Sequence, residues 1–247
     1  MVWAKTYYDK IWERIGDRKN KFDDITNNLK SQKKFPDIKS LNLGEGREIT
    51  AGVLFVDIVS FTERSRQGTP EQLLFTLDIF LSEMASIVND WGGTIEKFTG
   101  DGLMAIFDTS QTTIAGMAKD IIDVATTMRY SIDGPINSFL NSRGIEPIKY
   151  RIGIDGGQII VGRLGIRGDN DPVAIGWAAN IASKLQESAD LNGILLGSFI
   201  YHHLPDWEKN YCVALSIPSS WTYIINGTVE KYPFYSYQAV WIIPPKP

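Results

Sequence analysis

The chain has 247 residues, 43% of them hydrophobic, enough for one sizeable globular domain with some decoration. Its formal net charge is −4 and its pI about 5.3, a balance that argues against general binding to nucleic acid or to anionic membranes. The lone cysteine, Cys212, excludes an intramolecular disulfide framework and fits a reducing cytoplasm.

The first ten residues lack the apolar core of a signal peptide. The longest apolar stretches, near Gly52 to Val59 and Ile159 to Val161, are strand-sized and far below a membrane span. A soluble cytoplasmic protein with no membrane segment is expected. Trp3, Tyr7, Tyr8, Ile11, Trp12 and Ile15 are spaced as one helical face, suited to docking on the domain or on a second copy. From Asp17 to Lys39 the chain turns polar, with Lys33-Lys34 and Pro36, and reads as a helix end and solvated linker. Residues 1–47 are therefore read as an N-terminal helical extension and linker, and 48–247 as one catalytic-type domain.

Residues 51–59 form a buried strand. Pro70 opens a helix with Thr69 as N-cap and Glu71 in its first turn. Leu73, Leu77, Phe80, Met84, Ile87 and Trp91 give that helix a core-facing stripe, and Gly92-Gly93 ends it. Residues 94–98 and 103–107 are short strands joined by a tight turn at Thr99-Gly100-Asp101-Gly102. A second helix covers 112–130 and continues towards Leu140. Residues 148–154 and 158–162 read as a further hairpin around Gly156-Gly157. A helix at 175–188, a strand at 194–196 and a short helix at 198–204 follow. The tail offers strand-like pieces at 211–215, 221–225 and 235–243. The order β-α-β-β-α-β followed by more α and β predicts an α+β fold. Its sheet is ferredoxin-like and antiparallel, with helices on one face and a C-terminal αβ extension.

Two carboxylates stand out. Asp57 ends the apolar run of the first strand, and Asp101 sits in the tight turn of the first hairpin. If these strands pair, their tips bring the acids together, and two converging carboxylates repel unless a divalent cation lies between them. The alternative is a helix N-cap at Asp57 and a plain turn aspartate at Asp101. After Asp57 the chain turns through Ile58-Val59-Ser60-Phe61-Thr62, where backbone N–H groups and the Ser60 and Thr62 hydroxyls suit phosphate oxygens. Strand alternation places Lys97 on one side with Ile95 and Thr99, facing a base carbonyl, the acids or solvent. Asn180 and Lys184, four apart, share one helical face, flanked by Ala178, Ala179, Ala182 and Ser183, which leave room for close approach. By pattern alone that face fits a solvated polar stripe better than a functional site. Arg163 and Arg167 could touch phosphate, or simply decorate a glycine-rich hairpin. His202 and His203, adjacent on a short helix, suit surface or packing roles.

Four ordered motifs resemble the class III nucleotidyl cyclase catalytic domain from about Thr50 to Leu204. They are Phe55-Val-Asp-Ile-Val-Ser-Phe-Thr62, Lys97-Phe-Thr-Gly-Asp-Gly102, Arg151-Ile-Gly-Ile-Asp-Gly-Gly157 with Val161-Gly-Arg-Leu-Gly165, and Ile175-Gly-Trp-Ala-Ala-Asn-Ile-Ala-Ser-Lys184. The resemblance implies a homodimer with active sites shared between subunits. It implies that Asp57, Asp101 and the Ile58 carbonyl bind two divalent cations, Mg²⁺ or Mn²⁺. From the opposite subunit, Asn180 would position the ribose and position 184 would stabilise the transition state. The products would be a 3′,5′-cyclic nucleotide and pyrophosphate.

The sequence departs from the family at three places. Lys184 replaces the usual arginine, keeping the charge but losing the planar fork. Ser60 stands where glycine is frequent. Lys97 falls on the first base-reading position of adenylyl cyclases, but the second is Val173, which cannot accept from an adenine amino group. The chain most resembles the bacterial pyrimidine cyclases of Pycsar antiphage defence. That implies UTP or CTP as substrate and a cyclic product read by a separately encoded effector. Uracil, with two carbonyls for Lys97, is favoured. An adenylyl cyclase and a non-catalytic nucleotide-binding module of the same fold are the rival readings.

Overall fold

The structure, a computed structural model, describes residues 30–240 apart from positions 33, 38, 39, 167, 168 and 226. The helix expected over residues 1–16, Arg167 and the end of the last expected strand lie outside the described residues.

A short strand, β1 (Lys30–Ser31), runs parallel to the start of the long β2 (Gly46–Ile58). Part of the stretch read as a solvated linker therefore packs on the domain. The Phe35 N–H donates to Asp108 Oδ2 at 2.6 Å, and the Phe35 ring joins the core. After β2 come α1 (Phe61–Gln67) and α2 (Pro70–Asp90). The Thr69 hydroxyl accepts from the Gln72 N–H and the Gln72 side chain accepts from the Thr69 N–H. This capping box engages two N–H groups that the helix itself cannot pair. Next are β3 (Thr94–Phe98), β4 (Gly102–Asp108) and α3 (Ile114–Ser131). A π-helical turn at Ile132–Ile136, holding Pro135, leads into α4 (Asn137–Ser142), so the helix does run on past Leu140. Proline lacks the N–H that a regular helix needs there, and the wider turn absorbs the loss.

The second half contains β5 (Tyr150–Ile166), β6 (Asp169–Ile175), α5 (Trp177–Ser188), β7 (Gly193–Gly197), α6 (Ser198–His203), α7 (Asp206–Lys209), β8 (Cys212–Ala214) and β9 (Phe234–Tyr237). Strands run in the order β3-β4-β2-β5-β7-β9-β8, with β1 beside β2 and β6 beside β5. All pairs are antiparallel except β1–β2 and β5–β7. The expected α+β class and mainly antiparallel sheet are what the chain adopts.

Four details differ from the expectation. Helices cover both faces of the sheet. Leu54, Val56 and Ile58 of β2 pack with Phe80 and Met84 of α2 and Met117 and Ile121 of α3. Ile49, Ala51 and Val53 face the other way, against Ala178, Ala179 and Ala182 of α5. An amphipathic pattern says that a helix buries a face, not which side of a sheet it takes.

Residues 150–166 form one unbroken strand paired with β2 from Ile58↔Tyr150 to Gly46↔Gly162, without a turn at Gly156-Gly157. The glycines there serve close approach: a Cβ on Gly156 would lie 2.6 Å from the Phe199 ring, and one on Gly153 2.2 Å from the Ala182 carbonyl. A bulge between Ile95 and Lys97 breaks the alternation in β3, pairing Ile95 with Ala105 and Lys97 with Met104. Those two partners face opposite sides of the sheet, so Ile95 and Lys97 do not share a face. In the tail, 221–225 contributes a single bridge, Ile224 to Lys231, in place of a strand.

Candidate active site

Sheet register brings the two acids together. Asp57 pairs with Gly102 on one side and with Arg151 on the other. Asp101 immediately precedes β4, and its carbonyl accepts from the Ile58 N–H at 3.2 Å. The Asp101 carboxyl lies close enough to act directly on the Asp57 carboxyl. A Cβ on Gly102 would sit 2.5 Å from Asp57 Oδ1 and 2.3 Å from the Val56 carbonyl, so glycine alone leaves space for the carboxylate. Burial first, then the charge and hydrogen bond of Asp101, push the Asp57 carboxyl up to about 7, against the pull of Arg151. Such a pair takes up a proton or a cation to relieve its repulsion.

The donor set fits a hard divalent ion, for which carboxylate and carbonyl oxygens are the natural ligands. Among the described residues no cluster of three or more His, Cys, Asp or Glu could hold a metal. Two acids and a backbone oxygen would leave further coordination positions to water or substrate, the usual arrangement for Mg²⁺.

Beyond Ile58 the chain turns at Ser60, whose φ of 59° and ψ of 34° are left-handed. A residue with a Cβ is unusual there, which explains why glycine would suit the position. The Ile58 and Val59 N–H groups are engaged by the Asp101 and Lys149 carbonyls, so any phosphate would meet the turn from Ser60 onward. Phe61 is half-buried against the core, whereas Ser60 and Thr62 are exposed. The guanidinium of Arg64 donates to the Glu146 and Pro147 carbonyls at 2.6 and 2.7 Å and fixes α1 on the loop before β5.

Lys97 is half-exposed, with its ammonium 3.2 Å from Glu96 Oε2. Glu96 is buried, and its Oε1 accepts from the Ala174 N–H at 3.0 Å. Val173, half-buried on β6, therefore directly precedes the residue whose N–H binds the glutamate beside Lys97. One buried carboxylate thus links Lys97 to the β6 backbone next to Val173.

Asn180 and Lys184 are not gathered with the acids. Asn180 is exposed, and neither residue hydrogen-bonds to Asp57 or Asp101 of the same chain. Both Glu187 oxygens take the Lys184 ammonium at 2.7 Å, which raises the lysine pKa. The Glu187 carbonyl also accepts from Arg151 Nη1 at 3.2 Å, tying the end of α5 to the arginine beside Asp57. Beneath α5, Asp155 is fully buried and takes the Tyr232 hydroxyl at 3.0 Å on each oxygen. Burial pushes its carboxyl up to about 8, opposed by hydrogen bonds from the Gly156 backbone, Tyr232 and the Phe199 backbone.

The Arg163 guanidinium donates to the Leu41 carbonyl at 3.1 Å, a clasp on the segment before β2. His203 contacts the Phe199 carbonyl at 2.8 Å and stacks on its ring, the packing role expected of it. Sequence reasoning passed over Arg151, Glu96 and Asp155. Arg151 and Asp155 were within reach as charged residues in an otherwise apolar strand pattern, but Glu96 depends on a bulge that no local signal announces.

The model of the adenylate and guanylate cyclase catalytic domain matches residues 46–219. The chain is similar to the uridylate cyclase of Burkholderia cepacia, with 31% identity over 164 residues, 62% of this chain and 66% of that protein. It is similar to the cytidylate cyclase of Staphylococcus aureus, with 27% identity over 154 residues, 61% of this chain and 36% of that protein. Among solved structures it is similar to the adenylyl cyclase CyaB from P. aeruginosa, with a TM-score of 0.68 and 26% identity, covering 80% of this chain and 98% of that one. The chain thus spans from about a third to about two thirds of the length of these curated relatives. The family match covers most of the chain and every strand that builds the carboxylate pair, so the chain belongs to the adenylate and guanylate cyclase catalytic domain family.

Proposed function

We propose that this chain is a metal-dependent pyrimidine nucleotide cyclase that converts UTP, in preference to CTP, into the 3′,5′-cyclic nucleotide and pyrophosphate. The observation that carries the proposal is the convergence of Asp57 and Asp101 at one sheet tip. The catalytic unit is residues 48–247, with 1–47 as an extension. Asp57, Asp101 and the Ile58 carbonyl hold two Mg²⁺ or Mn²⁺ ions. When bound, the ions supply positive charge that acidifies the ribose 3′-hydroxyl and neutralises the triphosphate. The turn at Ser60, Phe61 and Thr62 receives phosphate oxygens.

A homodimer with shared sites is supported by Asn180 and Lys184, which lie on α5 and make no hydrogen bond to Asp57 or Asp101 of their own chain. In the dimer, Asn180 of one copy orients the ribose bound by the other. Lys184 leaves Glu187 and meets the charge developing on the α-phosphate as a point charge, without the fork an arginine would bring. Lys97 donates to a base carbonyl. Val173 presents no acceptor, so an adenine amino group there stays unpaired at a cost of about 1–3 kcal/mol. Uracil avoids that cost and offers two carbonyl oxygens. Relatives named uridylate and cytidylate cyclase support a pyrimidine substrate. The product serves as a cytoplasmic messenger in antiphage defence, read by a separate effector, a role that rests on the sequence resemblance.

The test is incubation of the purified protein with each of the four nucleoside triphosphates and Mn²⁺, with products identified by mass. Cyclic UMP is expected to dominate. Dominant cyclic AMP would overturn the pyrimidine assignment. Nucleotide binding without turnover would favour a non-catalytic module, a reading supported by the Lys184–Glu187 pair, which occupies the transition-state cation in the isolated chain.

A further inference from the structure

We infer that Glu96 is the positioning residue that fixes Lys97 and β6 as one unit and thereby sets nucleotide selectivity. The inference rests on the proposed reading that Lys97 faces the base. The bulge in β3 inserts Glu96 as an extra residue and turns its side chain inward, where it is fully buried. Its Oε1 accepts from the Ala174 N–H at 3.0 Å. Its Oε2 is buried, makes no hydrogen bond, and lies 3.2 Å from the Lys97 ammonium.

A buried carboxylate with one oxygen unbonded is costly unless a charge compensates it, and the neighbouring ammonium is that charge. The attraction also restrains Lys97, whose four-carbon stem would otherwise sample many rotamers. An ammonium has three N–H donors. With the lysine half-exposed, donors remain for a base oxygen while Glu96 couples the nitrogen to the Ala174 backbone of β6. A preorganised donor reads a carbonyl more selectively than a mobile one, because less freedom is lost on binding.

The substitution Glu96→Gln keeps a carbonyl for Ala174 but turns an NH₂ group towards the ammonium, donor against donor. For the preferred triphosphate, KM is expected to rise about ten-fold with kcat changed less than about two-fold, and preference over the other three to fall by a similar factor. Lys97→Ala should produce a comparable loss, and the double variant Lys97→Ala with Glu96→Gln should be no worse than Lys97→Ala alone. Independent, multiplying effects, or unchanged selectivity in Glu96→Gln, would overturn the inference. A silent Lys97→Ala would instead show that Lys97 does not read the base, and the inference would fall with that reading. If thermal melts show Glu96→Gln to be unfolded, Glu96→Asp takes its place. This variant keeps the charge but draws it back by one methylene; the same non-additivity is expected, and multiplication of effects again refutes.

Discussion

Gly153 is the point where α5 rests on the sheet, and replacing it with alanine should damage stability and turnover together. A Cβ there would lie 2.2 Å from both the Ala182 carbonyl oxygen and the Gln186 nitrogen. Ordinary contact begins near 3.4 Å, so the helix would have to retreat by about 1.2 Å. Both clashing atoms are backbone, and no side-chain rotation relieves them. Overpacking of this kind costs about 1–3 kcal/mol. Loosened contacts of Ala178, Ala179 and Ala182 against Ala51 and Val53 place the expected loss at the upper end. The same helix carries Asn180 and Lys184, and a displacement near 1 Å of positioning groups can cost about 100-fold in rate. Urea unfolding followed by circular dichroism gives the first quantity, and Mn²⁺-dependent turnover under conditions where the variant is folded gives the second. Gly156→Ala is the control, because its Cβ would press on Phe199 of α6 on the opposite face. It should destabilise without a comparable loss of turnover. Wild-type stability and rate in Gly153→Ala, or equal losses of turnover in both variants, would refute the reasoning.

On the proposed function, Asp57→Asn should abolish turnover while the fold persists, and should erase the rise in melting temperature expected of the wild type in Mn²⁺; a Mn²⁺ shift of equal size in both proteins would remove Asp57 from the proposed metal site. Mixing an Asp57→Asn copy with an Asn180→Ala copy should restore measurable activity if sites are shared, and none in confirmed mixed dimers would place the site within one chain. Val173→Asp should shift preference towards ATP by supplying the missing acceptor, and an unchanged product profile on the four-nucleotide panel would remove position 173 from the base pocket. For Asp155 the sign follows from its raised pKa. The folded state holds a proton between about pH 4 and 8 that the unfolded chain releases, so stability from this group falls as pH rises through that window, by about 1.4 kcal/mol per pH unit. Urea midpoints at several pH values should show a slope shallower by this amount in Asp155→Asn than in the wild type, because raised groups such as Asp57 contribute equally to both, and an identical slope in the two proteins would refute the assignment.

The parts legible in the sequence are those decided locally. The hairpin that presents Asp101 closes within a few residues, and the Thr69-Pro70 start of α2 carries its own capping chemistry. The motif at Phe55–Thr62 delivers Asp57 to a strand end because its apolar run can only be a buried strand. What escaped depends on partners distant in sequence. Gly153 and Gly156 could mark a turn or a close approach, since both forbid a Cβ, and only the helices packed on β5 decide between them. Arg151 is beside Asp57 through the β2–β5 pairing, which no local pattern encodes. The bulge at Glu96 is a single inserted residue that reverses the facing of Lys97 relative to Ile95.

Register then explains why the carboxylate pair lies on one face of the sheet and not the other. Along β2, Leu54, Val56 and Ile58 enter the core with α2 and α3, while Ile49, Ala51 and Val53 face α5. Alternation puts Asp57 on the α5 side, with Phe55. A slip of one residue would turn Asp57 towards Phe80 and Met84, where an uncompensated carboxylate could not be held. The large side chains of the α2 and α3 core therefore do more than stabilise. By fixing which residues of β2 point inward, they fix that the carboxylate pair, Arg151 and α5 share the other face.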